Sequence, residues 1–327
     1  MDPPKELIEA IREGRALIVC GAGVSRLATD RKAPGWKQLI EMGIKAAKPA
    51  RGKEPPWAKA CKQLLKSKSP DDWLNAADII QQQLGGHADG RYRAFLRSAV
   101  GKLTATDTAV IEALRGLVDK NNRIATTNYD DLICHGLKRQ PVNWKDADSV
   151  AECLGGDHDA VLHLHGHWRD GASVVFSKAD YTRLRSAESA QFLQKLAAHN
   201  FTLVFVGCSN SGLADENVGE LLDWFGSHWS GLGKKHYVLV REAELGATWP
   251  AAVTPVAYGN DYAELAGFLA ALAPALAPST ATRSGEPLGP RCARESRARP
   301  AISMRCACWL WTNWMPRRQT RNDSAMP

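Results

Sequence analysis

The chain has 327 residues, 44 % hydrophobic and 24 % charged, enough for one large domain or two modest ones with a sizeable core. This composition excludes a wholly disordered or collagen-like chain, and no apolar run reaches the ~18 residues of a membrane-spanning helix. The net charge is +7, but residues 279–327 hold nine Arg, no Lys and three acids, so the body is nearly neutral and direct nucleic-acid binding is not expected of it.

The opening Met1-Asp2-Pro3-Pro4 runs into charged residues without a signal-peptide h-region, so a cytoplasmic location is expected. Residues 4–14 read as a short helix, with Leu7, Ile8 and Ile11 on one face and Gly14 as a stop. Residues 15–20 are an apolar run of the kind found in buried parallel strands, and it ends in Gly21-Ala22-Gly23-Val24-Ser25. From about 36 to 120 the spacing is helical, punctuated by Pro34, Pro49, Pro55, Pro56, Pro70, Gly85 and Gly86. Further strands are expected at 123–127, 160–164, 173–177, 202–207, 236–241 and 253–257, with helices at 182–199 and 261–273. Strand alternating with helix argues for a doubly wound, mostly parallel, Rossmann-like α/β sheet, with an all-helical module inserted after the first strand. The expected division is 1–35 with 121–276 as the sheet domain, 36–120 as the module, and 277–327 as a basic tail. That tail has neither helical nor strand periodicity. It reads as disordered, as a frame-shifted end, or as a nucleic-acid- or partner-binding peptide.

Eight Cys, at 20, 61, 134, 153, 208, 292, 306 and 308, form no Cys-x-x-Cys pair. A structural zinc is therefore not expected, and free buried thiols are the plain reading.

Four strand ends carry the chemistry. Gly21-Ala22-Gly23 lets backbone approach a pyrophosphate closely, though a plain tight turn has the same composition; Ser25 either bonds a phosphate or caps the next segment. Thr127-Asn128-Tyr129-Asp130 places Asn128 and Asp130 at a strand's carboxyl end, where ligands sit in open α/β sheets. A helix start with Asn128 or Asp130 as N-cap competes, and these residues alone favour it. In His163-Leu164-His165-Gly166-His167, one histidine suits general-base chemistry, while a metal site lacks further ligands. For His163 and His167 a structural role is preferred. Gly207-Cys208-Ser209 ends a fourth strand.

Together these segments resemble the sirtuin superfamily, in particular the bacterial SIR2-like proteins of anti-phage defence, over about residues 5–275. Gly21-Ala22-Gly23-Val24-Ser25 is similar to the family's first phosphate loop, and Thr127-Asn128-Tyr129-Asp130 to its Gln-Asn-Ile-Asp segment. Leu164-His165-Gly166 is similar to the segment bearing the catalytic His, and Gly207-Cys208-Ser209 to the Gly-Thr-Ser loop. Val238–Glu242 and Val256–Tyr258 fall where the family's last strands line adenosine. Two departures count against acyl-lysine chemistry: the zinc ribbon of deacylases is missing, and Pro34-Gly35-Trp36 stands in place of their Asp-Phe-Arg segment.

The resemblance implies NAD as substrate, cleaved to nicotinamide and ADP-ribose, with no zinc. It implies cofactor contacts from Gly21, Ala22, Gly23, Ser25, Thr127, Gly207, Cys208, Ser209 and Arg241. Asn128 would orient the nicotinamide ribose and a water, Asp130 the carboxamide or ribose, and His165 would act as general base. A constitutive NAD hydrolase would harm its host. The resemblance therefore also implies restraint, through homo-oligomerisation, a partner such as a HerA-like ATPase or short Argonaute, or a phage trigger protein. The competing readings are an NAD or ADP-ribose sensor without turnover, and a deacylase or ADP-ribosyltransferase. A metal-dependent hydrolase built on the three histidines is more distant.

Overall fold

A computed structural model describes residues 3–273 except 68, 119–120 and 230–234. The tail expected over 277–327 lies outside the described residues. No helix among the described residues is long and apolar enough to cross a membrane.

Among the described residues seven strands make one sheet: β1 Ala16–Cys20, β2 Arg123–Thr126, β3 Gln140–Asn143, β4 Ala160–His163, β5 Thr202–Val206, β6 His236–Val240 and β7 Val253–Ala257. Their order is β3-β4-β2-β1-β5-β6-β7, and every pairing is parallel. The chain leaves β1 toward β2 and returns to its other side at β5. The switch point, where such sheets open a crevice at their carboxyl edge, is therefore between β1 and β5.

The uninterrupted apolar run of β1 reflects burial on both faces. Ala16, Ile18 and Cys20 face one core, where they meet helices α1 Lys5–Arg12 and α2 Ala22–Ala28. Leu17 and Val19 belong to the opposite core with Leu203 and Phe205 of β5 and Val238 of β6. Strand period two thus sorts one hydrophobic run into two layers.

Between β1 and β2 the helices α3 Trp36–Ala47, α4 Pro56–Leu64, α5 Pro70–Gln83 and α6 Gly90–Ala99 close around their own core of Ile40, Ile80, Tyr92 and Leu96. Pro56 and Pro70 each occupy a first helical turn, where a missing N–H costs nothing. The next helix, α7 Ala109–Val118, departs from the expected module boundary at 120. Its Ile111, Leu114 and Leu117 pack on the sheet core, so the self-contained helical layer ends before it.

Three other expectations need correction. Residues 173–177 form no strand. Val174, Val175 and Phe176 are fully buried, but they are covered by the helical layer and α10 Lys178–Ser186, and the segment joins no ladder. The sheet instead holds β3, whose Gln140-Pro141-Val142-Asn143 carries no apolar run because it lies at the edge, the position that tolerates Pro. The helix expected over 182–199 is two, α10 and α11 Glu188–Asn200, which meet at the extended Ala187.

Candidate active site

At the switch point a cleft of about 900 Å³ opens, within the size range of small-molecule and cofactor sites. The loops after β1 and β5 form its floor. Gly21 N–H donates to Val206 O at 2.9 Å and Gly23 N–H to Gly207 O at 2.9 Å. A Cβ on Gly21 would lie 2.7 Å from Gly207 O, and one on Gly23 2.7 Å from the same atom. The glycines are thus required for backbone to pack on backbone between the two loops. Gly207, at φ +65°, completes the contact.

The second wall comes from the end of β2. Asn128 donates through Nδ2 to Gly21 O at 3.0 Å and to Ser25 Oγ at 2.8 Å. Ser25 in turn donates through Oγ to Asp130 Oδ2 at 2.7 Å, and Asp130 Oδ1 accepts Leu132 N–H at 3.0 Å, at the start of α8 Leu132–Leu137. Asn128, Ser25 and Asp130 therefore form one relay whose bonds polarise each other in the same sense. With both amide hydrogens so engaged, Asn128 offers its Oδ1 to a ligand. Asp130 is buried, and burial raises its pKa above the ordinary carboxylate value, against the hydrogen bond from Ser25. Both of its oxygens are occupied, so it acts on the cleft through Ser25.

Three histidines, His163 at the end of β4 and His165 and His167 after it, each have a different setting. His163 donates through Nδ1–H to Asn128 O, 2.9 Å away, and its Nε2 lies 3.3 Å from Cys134 Sγ. Burial pushes its pKa down to about 3, so the ring is neutral and braces the Asn128 backbone. His167 contacts Asp131 Oδ1 through Nε2 at 2.6 Å. His165 alone lines the cleft. Its backbone is fixed by Val175 N–H donating to His165 O at 2.9 Å, and its ring meets Tyr181 edge-on with centroids 5.6 Å apart. Burial lowers its pKa while Asp215 opposes the shift, and the lowering favours the neutral, proton-accepting form of the ring.

Behind the wall, Asp131 accepts His167 Nε2–H, Trp168 Nε1–H at 2.8 Å and Arg169 N–H at 3.0 Å. These bonds together hold its pKa below the ordinary carboxylate value against the opposing effect of burial. A depressed carboxylate contributes stability above its unfolded value near 3.9, and that contribution fades as pH falls through the folded value. Asp131→Asn is expected to cost about 2 kcal/mol at pH 7, as befits hydrogen bonds to a charged group. In urea titrations the gap to the wild type should narrow below about pH 4. A gap that is the same at pH 7 and pH 3 would contradict this account.

Of the residues singled out in the sequence, Gly21, Ala22, Gly23, Ser25, Thr127, Asn128, Asp130, His165, Gly207, Cys208 and Ser209 all line the one cleft. Arg241 does not. Its guanidinium is held by Glu244 at 2.9 Å and lies over the Tyr262 ring at 4.3 Å, and it is Glu244, Tyr258 and Tyr262 that reach the cleft. Cys208 is a protonated thiol, its pKa pushed up to about 12 by burial, so it supplies surface and not a nucleophile. Among the described residues no group of three or more His, Cys, Asp or Glu could hold a metal ion.

Sequence reasoning missed the far wall and one acid. Trp36 and Trp73 of the helical layer, 5.7 Å apart between ring centroids, face the cleft with Leu74 and Tyr181. Asp215 was also missed, though Ala214-Asp215-Glu216-Asn217 before the apolar helix α13 Val218–Trp229 has the composition of a helix start.

Residues 122–255 match the family model described as SIR2-like domain. Over 230 residues the chain is 27 % identical to Defense-associated sirtuin 2 of Bacillus subtilis, an alignment covering 67 % of this chain and 20 % of that protein. The chain thus spans about one-fifth of that relative's length.

Proposed function

We propose that this protein, whose residues 122–255 match the family model described as SIR2-like domain, is an NAD glycohydrolase, cleaving NAD to nicotinamide and ADP-ribose. The observation that supports this most is the convergence of Asn128 and His165 on one cleft floored by the Gly21–Ser25 and Gly207–Ser209 loops. NAD would lie across the switch point with its pyrophosphate over the start of α2. The adenosine would reach toward Tyr258 and Tyr262, and the nicotinamide ribose toward Asn128 and His165. Cleavage builds positive charge on that ribose. Asn128 Oδ1, a fixed dipole in a partly closed cleft, would meet this charge or the attacking water without reorganising. The neutral His165 would take the water's proton. Asp130 and His163 would serve by fixing Ser25 and the Asn128 backbone.

The name of the relative suggests a part in defence. NAD depletion on infection, with activity restrained until then by self-association, a HerA-like ATPase, a short Argonaute or a phage protein, is the corresponding role proposed here.

The test is nicotinamide release by the purified full-length chain, alone and in lysate of phage-infected cells. Nicotinamide and ADP-ribose are expected in equal amounts, with EDTA without effect. NAD binding without release in either condition would replace the hydrolase by the sensor reading. Release of acyl-ADP-ribose with an acylated peptide would replace it by the deacylase.

A further inference from the structure

The ring of His165 carries an unexplained feature. Its Nε2 is buried and has no hydrogen-bond partner among the described residues. The Asp215 carboxylate faces it, with Oδ2 at 3.7 Å. Asp215 lines the cleft beside His165 and is itself held firmly. Its Oδ1 accepts Asn217 N–H at 2.8 Å and Val218 N–H at 2.8 Å, so the carboxylate caps α13 and cannot swing away. One oxygen is anchored and the other is aimed at the orphaned nitrogen.

A buried imidazole nitrogen left unpaired is unfavourable, so this gap has a reason to close. Catalytic hydrogen bonds are often long in empty sites and tighten once substrate is bound. We infer that Asp215 is a positioning residue for His165: its Oδ2 accepts the Nε2 proton, fixes the ring's tautomer and rotation, and leaves Nδ1 as the base that meets the nucleophile. This rests on the NAD-cleaving reading above.

The step balances without any further reagent. The bond from ribose C1′ to the nicotinamide nitrogen breaks, and its electron pair neutralises the pyridinium. A water oxygen bonds to C1′, and the water's surplus proton passes to His165 Nδ1 and then to solvent. The Asp215 carboxylate stabilises the transient imidazolium, as the carboxylate does in serine hydrolase triads.

Other titratable groups face the pair. Tyr181 of α10 and Tyr129 beyond β2 are phenols whose pKa values burial drives far up, and both remain neutral. Cys208 is a protonated thiol. Glu216 is paired with Arg185 at 2.9 Å. Asp215 is therefore the charge that His165 senses most directly, and it favours the imidazolium.

Asp215→Asn tests the inference, because an amide oxygen caps a helix about as well as a carboxylate and the fold should survive. In the full-length protein kcat for nicotinamide release should fall by ~10²-fold or more, with KM for NAD little changed. The acidic limb of the pH profile should move to lower pH, since loss of the negative charge lowers the His165 pKa. Imidazole titration by NMR should show the same downward move without any substrate. Asp215→Ala, which also removes the cap, separates stability from chemistry: its additional loss should appear in the melting temperature. A wild-type kcat or an unmoved His165 titration in Asp215→Asn would overturn the inference. A wild-type chain that releases no nicotinamide, with a His165 titration that still depends on Asp215, would instead keep the pair and overturn the hydrolase reading.

Discussion

Asn128→Ala is expected to lower nicotinamide release by ~10²–10³-fold while leaving the protein folded, the range seen when one fixed transition-state dipole is removed. The amide is held at its Nδ2 by Gly21 O and Ser25 Oγ and so points without conformational freedom. Preorganisation of this kind supplies the rate, because the group does not have to reorient as charge develops on the ribose. The partners left behind are on the cleft side, where water can replace the lost donors, so the structural cost should be about 1 kcal/mol. NAD affinity should change far less than kcat. Asn128→Asp should be no better than alanine, because a carboxylate would lie against the Gly21 carbonyl and lose both donors. Both substitutions within a few-fold of wild type would remove Asn128 from the mechanism.

Gly166→Ala is expected to be the most damaging single-methyl change in the sheet domain. Gly166 has φ +84°, a conformation L side chains rarely adopt, and an added Cβ would collide with the Ser173 carbonyl. That carbonyl cannot give way easily, since it accepts Trp144 Nε1–H at 2.7 Å, and Ser173 Oγ accepts His167 N–H at 3.0 Å. Strain and clash together should cost about 3 kcal/mol or more. At roughly 2–4 °C per kcal/mol for a domain of this size, the melting temperature should drop by about 6–12 °C. Gly86→Ala is the control. Its φ is similar at +78° but nothing lies within 4 Å of the new Cβ, so only about 1 kcal/mol of backbone strain is expected. Equal melting temperatures for the two variants would refute the packing account. Because Gly166 follows His165 directly, the same variant should also lose activity in the fraction that remains folded.

The cleft depends on contacts across long stretches of chain. Ser25 and Asp130 are 105 residues apart, and Asn128 and Gly21 are 107 apart. The helical layer between β1 and β2 adds the Trp36 and Trp73 wall from one side, while Asp180 fastens that layer to α10 by accepting from Gln81 at 2.9 Å and contacting His87 at 2.7 Å. The site is therefore shared between the sheet and the inserted helices, and a change in the packing of those helices would reach His165 through Tyr181 and Val175.

Hydrophobic period and glycine placement were enough to determine a great deal: the doubly wound parallel sheet, the insertion of helices after β1, and the four polar strand ends. Those features follow from local burial and backbone geometry, which leave marks within a few residues of chain. Strand β3 escaped notice because an edge strand needs no apolar run, and 173–177 misled because burial beneath helices selects the same residues as burial within a sheet. The tertiary structure alone decided that Asp130 braces Ser25 and that Asp215 faces His165. A side chain's long-range partner is fixed by the register of strands and the angles of helices, and no local pattern around Asp130 or Asp215 encodes which group arrives from elsewhere in the fold.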